Sequence, residues 1–434
     1  MKRLETLICC ILLAVSFYAT AQVDTTTTAK PTSRSPFAIQ WHGMANPVMF
    51  ADTRQVVSGR EGMMLFYPAA PTFDEAGNDM NAISNLNMLA ITARLSATIT
   101  GPDVLGAKMK GYIEGDFTGA TNESINMFRL RHAYINMKWE KSELLMGQYW
   151  YSMVIPEIMP ETQPLNMGAP FHPYARYNQL RYLYRIGKIT LIGAAEFQLD
   201  NKSNGPAGTS TQYIKSSCIP EINLQVRYEG QHLLAGAAAN FLTIRPRTYV
   251  SDTSGGKQLA TRQLYSSTSF TLFARYSWSQ WAIKAQTLIS DNLYEGCTMG
   301  GYIETRNINN QGYYDYAYNP FTFTTVWTDF GRTTGHWRPG IFLGYAVNNT
   351  FGNIMTPHDV AYGRGININY LYRIQPRIGY YAGHGLSFGF EVEHTFAQFG
   401  EEVTAGNNGE YRYSATNRMA VSNTRFILGA VYAF

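Results

Sequence analysis

The chain has 434 residues, of which only 15% are charged, 45% are hydrophobic and 14% are aromatic, with 30 Tyr and 38 Gly. A mean hydropathy of −0.20 excludes a bundle of membrane helices, which would need several apolar runs of about 20 residues, and the apolar share excludes intrinsic disorder. The formal charge of +4 is too small to argue for nucleic acid. Low charge with abundant Tyr, Phe, Gly, Asn and Thr suits alternating strands in a membrane.

In chain order, residues 1–21 read as a secretory signal. Lys2 and Arg3 form its basic end, Leu7 to Phe17 its apolar stretch and Ala19-Thr20-Ala21 its cleavage site. A membrane anchor is disfavoured, because the stretch is short and polar Asp24-Thr25-Thr26 follows. Cys9 and Cys10 lie inside the apolar stretch, not after a small-residue pair, so no lipoprotein is read. Loss of Lys2, Arg3 and Glu5 leaves 33 basic against 30 acidic residues. Residues 22–36 form a flexible Thr/Ser/Pro leader. Cys218 and Cys297 remain, and an oxidising compartment allows them to pair; the ordinary alternative is two separate thiols.

From residue 37 to 434 the pattern has period two. Along residues 108–117, Lys108, Lys110, Glu114 and Asp116 alternate with Met109, Ile113 and Phe117. Ile222, Leu224, Val226 and Tyr228 oppose Glu221, Asn223, Gln225, Arg227 and Glu229. Ile366, Ile368, Tyr370, Tyr372 and Ile374 oppose Asn367, Asn369, Leu371 and Arg373. Leu386, Phe388, Phe390 and Val392 oppose Ser387, Glu391, Glu393 and Thr395. Alternation alone does not separate a soluble sandwich from a barrel with its apolar face toward lipid. The signal and the last strand do. Phe426, Leu428, Ala430, Tyr432 and the terminal Phe434 share one face, which resembles the C-terminal strand signal read by the barrel-assembly machinery of the bacterial outer membrane.

Tight turns are expected near Asp103, Ser142, Gly187, Gly230, Ser279, Thr333 and Gly383. Long polar stretches alternate with them at 46–84, 118–126, 149–177, 200–218, 245–266, 291–321, 348–363 and 398–417. Spacings of about 40–55 residues hold two strands, a short turn and a long loop. The expectation is an all-β fold: a transmembrane antiparallel β-barrel of about 16 strands, with short periplasmic turns and long extracellular loops. That size leaves an aqueous interior.

A family likeness sits in residues 85–200. Tyr112-Ile113-Glu114-Gly115-Asp116-Phe117, Phe128-Arg129-Leu130-Arg131-His132-Ala133-Tyr134 and Gly147-Gln148-Tyr149-Trp150 are followed by Pro160-Glu161-Thr162 and Gln179-Leu180-Arg181-Tyr182. This series resembles trimeric outer-membrane porins, and among them the DcaP-like porins. It departs from them in that residues 22–36 carry no heptad and the loop after Trp150 has its own sequence. The resemblance implies a homotrimer in membrane lipid that passes small hydrophilic solutes by diffusion. It also implies that the loop 149–177 folds into the lumen as a constriction. That loop carries Glu157, Glu161 and the stiffening prolines Pro156, Pro160, Pro164, Pro170 and Pro173.

The inferred lumen faces carry Arg129, Arg131, Arg181, Arg185, Arg227, Arg275, Lys284, Arg373, Arg377 and Arg425, with Glu114, Asp116, Glu196, Glu391 and Glu393 as acids. Basic groups across a pore from carboxylates set up a transverse field, and the excess of Arg suggests a preference for anionic solutes such as carboxylates. The plainer alternative is that these groups pair and merely keep the wall polar. Trp139, Tyr149, Trp150, Tyr276, Trp278, Trp281 and Tyr432 fit interfacial girdles. The run Tyr313 to Tyr318 lies in a long loop, where it could meet a partner, a ligand or a neighbouring subunit. Nothing points to catalysis, a cofactor or a metal: the 8 His are scattered, without H-E-x-x-H spacing. The rival readings are a lipase-like barrel enzyme, for which nothing marks His394 and a nearby Ser as more than wall residues, and a surface adhesin with a plugged lumen.

Overall fold

The computed structural model describes residues 36–163 and 167–434. The signal 1–21, all but the last residue of the leader, and Pro164 lie outside the described residues. The chain pairs into eighteen hydrogen-bonded segments. Two strands are each split into two of these, so sixteen antiparallel strands close the barrel. They are β1 (Ala38–Ala45, resuming as Val48–Asp52), β2 (Asn85–Leu89, resuming as Arg94–Thr100), β3 (Lys108–Asp116), β4 (Arg129–Lys138), β5 (Ser142–Trp150), β6 (Arg176–Ile186), β7 (Ile189–Phe197) and β8 (Glu221–Glu229). There follow β9 (Leu233–Ile244), β10 (Tyr265–Trp278), β11 (Trp281–Ser290), β12 (Phe323–Arg332), β13 (Trp337–Asn348), β14 (Ile368–Gly383), β15 (Leu386–Thr404) and β16 (Tyr411–Ala433).

Each break has a cause in the chain. Pro47 has no N–H to give the ladder, so β1 is interrupted there, and β2 is interrupted alongside it at 90–93. The seam closes between first and last strands, with Val48 opposite Gly429 and Asp52 opposite Arg425. Phe434 exchanges both backbone hydrogen bonds with Gly43, at 3.1 and 3.0 Å. Its ring lies where a side chain on residue 43 would stand, so the seam needs glycine there.

The short connections are 101–107, 139–141, 187–188, 230–232, 279–280, 333–336 and 384–385, all at or beside the expected turns. The two-residue ones need left-handed backbone, at Gly187 (φ 60°), Ser279 (φ 48°) and His384 (φ 50°). All eight long connections lie at the opposite end. Two are shorter than expected, because β1 runs on to Asp52 and the β15–β16 hairpin to Thr404 and Tyr411. The loop strands Gly300–Ile308, Tyr314–Phe321 and Asp359–Arg364 form a sheet of their own. It absorbs the tyrosine run: Tyr316 lies 4.2 Å from Arg247, which pairs with Glu304 at 2.6 Å.

Burial is inverted relative to a soluble protein. Leu180, Leu272 and Phe426 stand 52%, 64% and 47% exposed on the outer face, while Asn223, Glu391, Glu393 and Arg425 are fully buried inside. An apolar outer band over a polar interior is stable only against hydrocarbon. The outer face is that of a barrel set in a membrane.

Two β-bulges correct the expected faces. In β4, Leu130 pairs with Gly115 and His132 with Glu114, which leaves Arg131 as the extra residue. Arg129 and Arg131 face inward as expected, but beyond the bulge His132, Tyr134 and Asn136 take the lumen while Ile135 stands 49% exposed outside. In β14 the register slips between Ile368 and Tyr370. Ile368, expected toward lipid with Tyr370 and Tyr372, is instead buried inside with Phe323, Leu371 and Phe399.

Candidate functional site

The described residues of the loop between β5 and β6, 151–163 and 167–175, lie inside the barrel. Its path is fixed by lumen-facing side chains taken in turn around the wall. Tyr151 donates to Glu221 of β8 at 2.7 Å, and Ser152 donates from N and Oγ to Glu196 of β7 at 3.0 and 2.9 Å. Arg227 of β8 holds the Glu157 carboxylate at 2.8 Å, and Arg275 of β10 donates to the Glu157 carbonyl at 3.1 Å. Lys284 of β11 donates to the Met159 carbonyl and to Glu161, both at 2.9 Å. Asp329 of β12 accepts from the Glu161 N–H at 2.8 Å, and Glu391 of β15 from the Gln163 N–H at 2.5 Å. Arg373 of β14 donates to the Ala169 carbonyl at 2.7 Å. An irregular backbone inside a barrel needs such partners, because water does not reach its underside.

The same loop supplies an apolar wedge. Ile155, Ile158 and Phe171 pack on Phe273, Phe323, Trp327 and Phe342, all buried on the inner faces of β10, β12 and β13. His172 meets Trp327 edge to face with ring centroids 5.4 Å apart, and burial, with Lys284 nearby, lowers its pKa to about 3. The loop therefore covers much of the inner wall from β7 to β15; cavities remain against β3–β8 and beside Glu161, Gln163, Arg338 and Arg377, where one of about 370 Å³ lies.

On that wall the expected residues divide. Arg129, Arg131, Glu114 and Asp116 come together: Arg131 reaches Glu114 and Asp116 at 2.5 Å each, and Arg129 reaches Asp116 at 2.8 Å. Arg129 is also 3.7 Å from Asp200 and Arg94 is 3.6 Å from Glu114. The pairing alternative thus accounts for most of this cluster. Arg181, Arg185 and Arg227 line a vestibule of about 320 Å³ with Lys110, Glu143 and Glu157. Arg185 meets Glu143 at 3.4 Å. Several expected pore residues do not border open lumen, Asp116, Glu391, Glu393 and Arg425 among them. Glu196 is sealed beneath the loop at Ser152, and Arg373 beneath the carbonyls of Leu65 and Ala169. Arg377 pairs with Asp329 at 2.6 Å and Arg425 with Asp52 at 2.7 Å. The side chains of Glu157 and Glu161 remain 39% and 45% exposed; Glu157 faces the vestibule and Glu161 a separate cavity beside Arg338 and Arg377.

The aromatic girdle needs correction at two places. Tyr276, Trp278, Trp281 and Phe330 do form an outer stack, with centroids 5.1 to 6.0 Å apart. Tyr149 instead points inward beside Arg181, and Trp150 lies under Arg176 at 3.8 Å. A chain of rings runs from Tyr149 through His132 and Trp150 to Tyr174. Tyr149 borders the vestibule, and Tyr174 borders a second cavity of about 280 Å³ toward the long-loop end. Burial opposes the Tyr174 phenolate, but Arg176, Arg131 and Arg129 outweigh it and bring its pKa to about 6. Sequence reasoning missed this cluster, since Tyr174 and Arg176 lie in and after the loop, where no alternation places them. His394 lies on the outer face with Nδ1 2.9 Å from Thr424 Oγ1. Cys218 and Cys297 are separate free thiols.

No family model and no curated protein matches the chain. Among solved structures it is similar to the outer membrane channel DcaP of Acinetobacter baumannii, with a TM-score of 0.63 at 16% identity over 93% of this chain and 99% of that one. It is similar to an anion-selective porin from Comamonas acidovorans, with a TM-score of 0.53 at 12% identity over 92% and 100% of the two chains. It is also similar to OmpF of Salmonella typhi, solved with daunomycin, with a TM-score of 0.52 at 11% identity over 91% and 97%. At these identities the likeness is one of fold. The resemblance to DcaP-like porins carried by residues 85–200 extends in structure to the whole barrel.

Proposed function

We propose that the chain is an outer-membrane diffusion channel for small hydrophilic solutes, with a preference for anionic ones such as carboxylates. The observation that carries this reading is the loop between β5 and β6, whose described residues fold inward and are tied to the wall through Ser152, Gln163 and Ala169, so that it narrows the lumen. Exposed Glu157 on the loop stands beside Arg181, Arg185 and Lys110 on the wall, and exposed Glu161 shares another cavity with Arg338 and Arg377, which creates a transverse field where solutes pass. The anionic preference is supported by the outer cavity. It holds Arg60, Lys202 and Arg364 against Asp200 and Glu295. Burial, with Glu221 beside it, holds the Glu295 carboxyl well above the usual carboxylate range. The same reading includes an N-terminal export signal, assembly through the Phe434 strand, and a homotrimer in lipid. The barrel fold and the absence of any catalytic constellation in the sequence speak for a channel over an enzyme.

Planar-bilayer conductance of the refolded chain under a salt gradient tests it. Conductance closing in steps of three with an anion-leaning reversal potential is the expected result. A cation-leaning potential removes the charge argument. Silence from a folded barrel favours the plugged, adhesin-like reading.

A further inference from the structure

The connection after β1 contains a hairpin, Val56–Gly59 with Met64–Pro68. It does not project away from the barrel. Arg425 of β16 donates from Nη1 to the Gly62 carbonyl at 2.7 Å, and Arg373 of β14 donates from Nη2 to the Leu65 carbonyl at 3.0 Å. Both arginines are fully buried on lumen faces. Asn87 of β2 donates to the Glu61 carbonyl at 2.8 Å, and the Phe50 ring of β1 lies against Gly62. Met64, Leu65 and Phe66 are buried, and Arg364 covers the Phe66 ring at 4.2 Å. A second segment is therefore folded into the barrel, over β14, β16, β1 and β2. Arg373 joins it to the inward loop by donating to Ala169 as well.

The tip turns on three consecutive left-handed residues, Arg60 (φ 57°), Glu61 (φ 54°) and Gly62 (φ 82°). Arg and Glu adopt that conformation at a cost, and adjacent strained residues of this kind gather where a side chain must be aimed. The Arg60 N–H is pinned by Asn122 Oδ1 at 2.8 Å. Its side chain enters the outer cavity, which Tyr174, Asp200, Cys297 and Arg364 also line. Arg129, on the far wall, is close enough to act on its charge: burial and then Arg129 lower the Arg60 pKa. The hairpin is rooted on one side of the mouth and its terminal cation faces the opposite one.

We propose that Arg60, carried by this hairpin, is a specificity-determining residue that sets the width and charge of the outer mouth, ahead of the inward loop. The proposal rests on the channel reading above. A solute descending from the long-loop end meets the Arg60 guanidinium in the cavity above the Trp150–Tyr174 layer, so anions are admitted ahead of cations before they reach Glu157 and Glu161.

The test is bilayer recording of Arg60→Ala and Arg60→Glu beside the wild type, each checked for folding by its heat-modifiable migration. Arg60→Ala should raise single-channel conductance. It should lower the anion-over-cation permeability ratio about two- to threefold, the effect of one unit charge several ångströms away in a wet pore. Arg60→Glu should lower the ratio further. Arg60→Cys in a Cys218→Ser, Cys297→Ser background should be blocked by a bulky, impermeant thiol reagent from the long-loop side alone. A conducting wild type whose conductance, ratio and block ignore all three changes overturns this inference alone. A silent wild type overturns the channel reading and this inference with it.

Discussion

Tyr174 sits where the guanidinium groups of Arg176, Arg131 and Arg129 converge, and they bring it to about 6, far below the value near 10 of a free tyrosine. Its ionised form is the one the fold favours, so the sign of the linkage is set. Between about pH 6 and pH 10 the unfolded chain holds a proton there that the folded chain lacks. Stability from this group is therefore fully present above pH 10 and is lost as pH falls through 6. Ultraviolet titration of the folded protein should show one tyrosine ionising near 6, and Tyr174→Phe should remove that step; persistence of the step would assign it elsewhere. The ion pairs make a second contrast. Arg425 and Asp52 are fully buried at the seam, 2.7 Å apart, so Arg425→Ala strands a buried carboxylate at a cost of about 3–5 kcal/mol. Arg185 and Glu143 are 32% and 24% exposed, so Arg185→Ala costs about 0–1 kcal/mol. Urea unfolding in micelles should separate the two variants. Which residues face inward was legible wherever alternation was unbroken, as for Arg129, Arg181 and Glu391. Which of them border solvent was not. Glu196 and Arg373 are covered by loops, and coverage leaves no trace in a strand's own period.

At the scale of elements, one inserted residue rewrites half a strand. Counting by twos from Arg129 puts Ile135 in the lumen and Asn136 against lipid, yet the bulge at Arg131 reverses both. Ile135→Arg should therefore cost about 2–4 kcal/mol, the depth-dependent penalty for a cation on the lipid face of a barrel. Asn136→Arg, beside Glu143 at 3.1 Å, should fold with nearly wild-type yield. Equal yields from the two variants would place the bulge wrongly. The sequence carries a hint of this reversal, since Ala133 and Ile135 stand where polar residues are due, but not the position of the slip. The hairpin 56–68 was legible in principle: Arg60-Glu61-Gly62 separates the apolar ends Val56-Val57 and Met64-Leu65-Phe66. Its inward direction was not, because that is decided by Arg373 and Arg425, more than 300 residues away in the chain.

For the whole molecule, strand number was readable because each short connection is marked by a turn residue such as Gly187 or Ser279, and eight long loops alternate with seven of these. Wall height was not readable. The strand β3 has 9 residues and β16 has 23, which at about 3.4 Å per residue means roughly 30 Å against roughly 78 Å. A tilted strand of about 10 residues already crosses the apolar band. On β16 the outward apolar set Phe426, Leu428 and Tyr432 gives way to Thr424 and Ser422, so the strand leaves the hydrocarbon near that point and its first ten or so residues rise above it. The partner β15 follows it up, as far as Thr404 opposite Tyr411. The upper hairpin meets the loop 349–367 through the pairing of Tyr411 with Met355, Phe351 against Gly400 and Pro357 against Gly409, while Asn407, Asn408 and Gly409 at its tip are exposed. Exposed tips of this kind are preferred sites of nicking. A broad-specificity protease added to the folded protein in vesicles should cut within 405–410. The two fragments should stay together as a heat-modifiable barrel, because every pairing below Phe399 lies in the membrane wall. Protection of the tip, or collapse of the barrel once it is cut, would contradict that division of β15 and β16 into a spanning half and a protruding one.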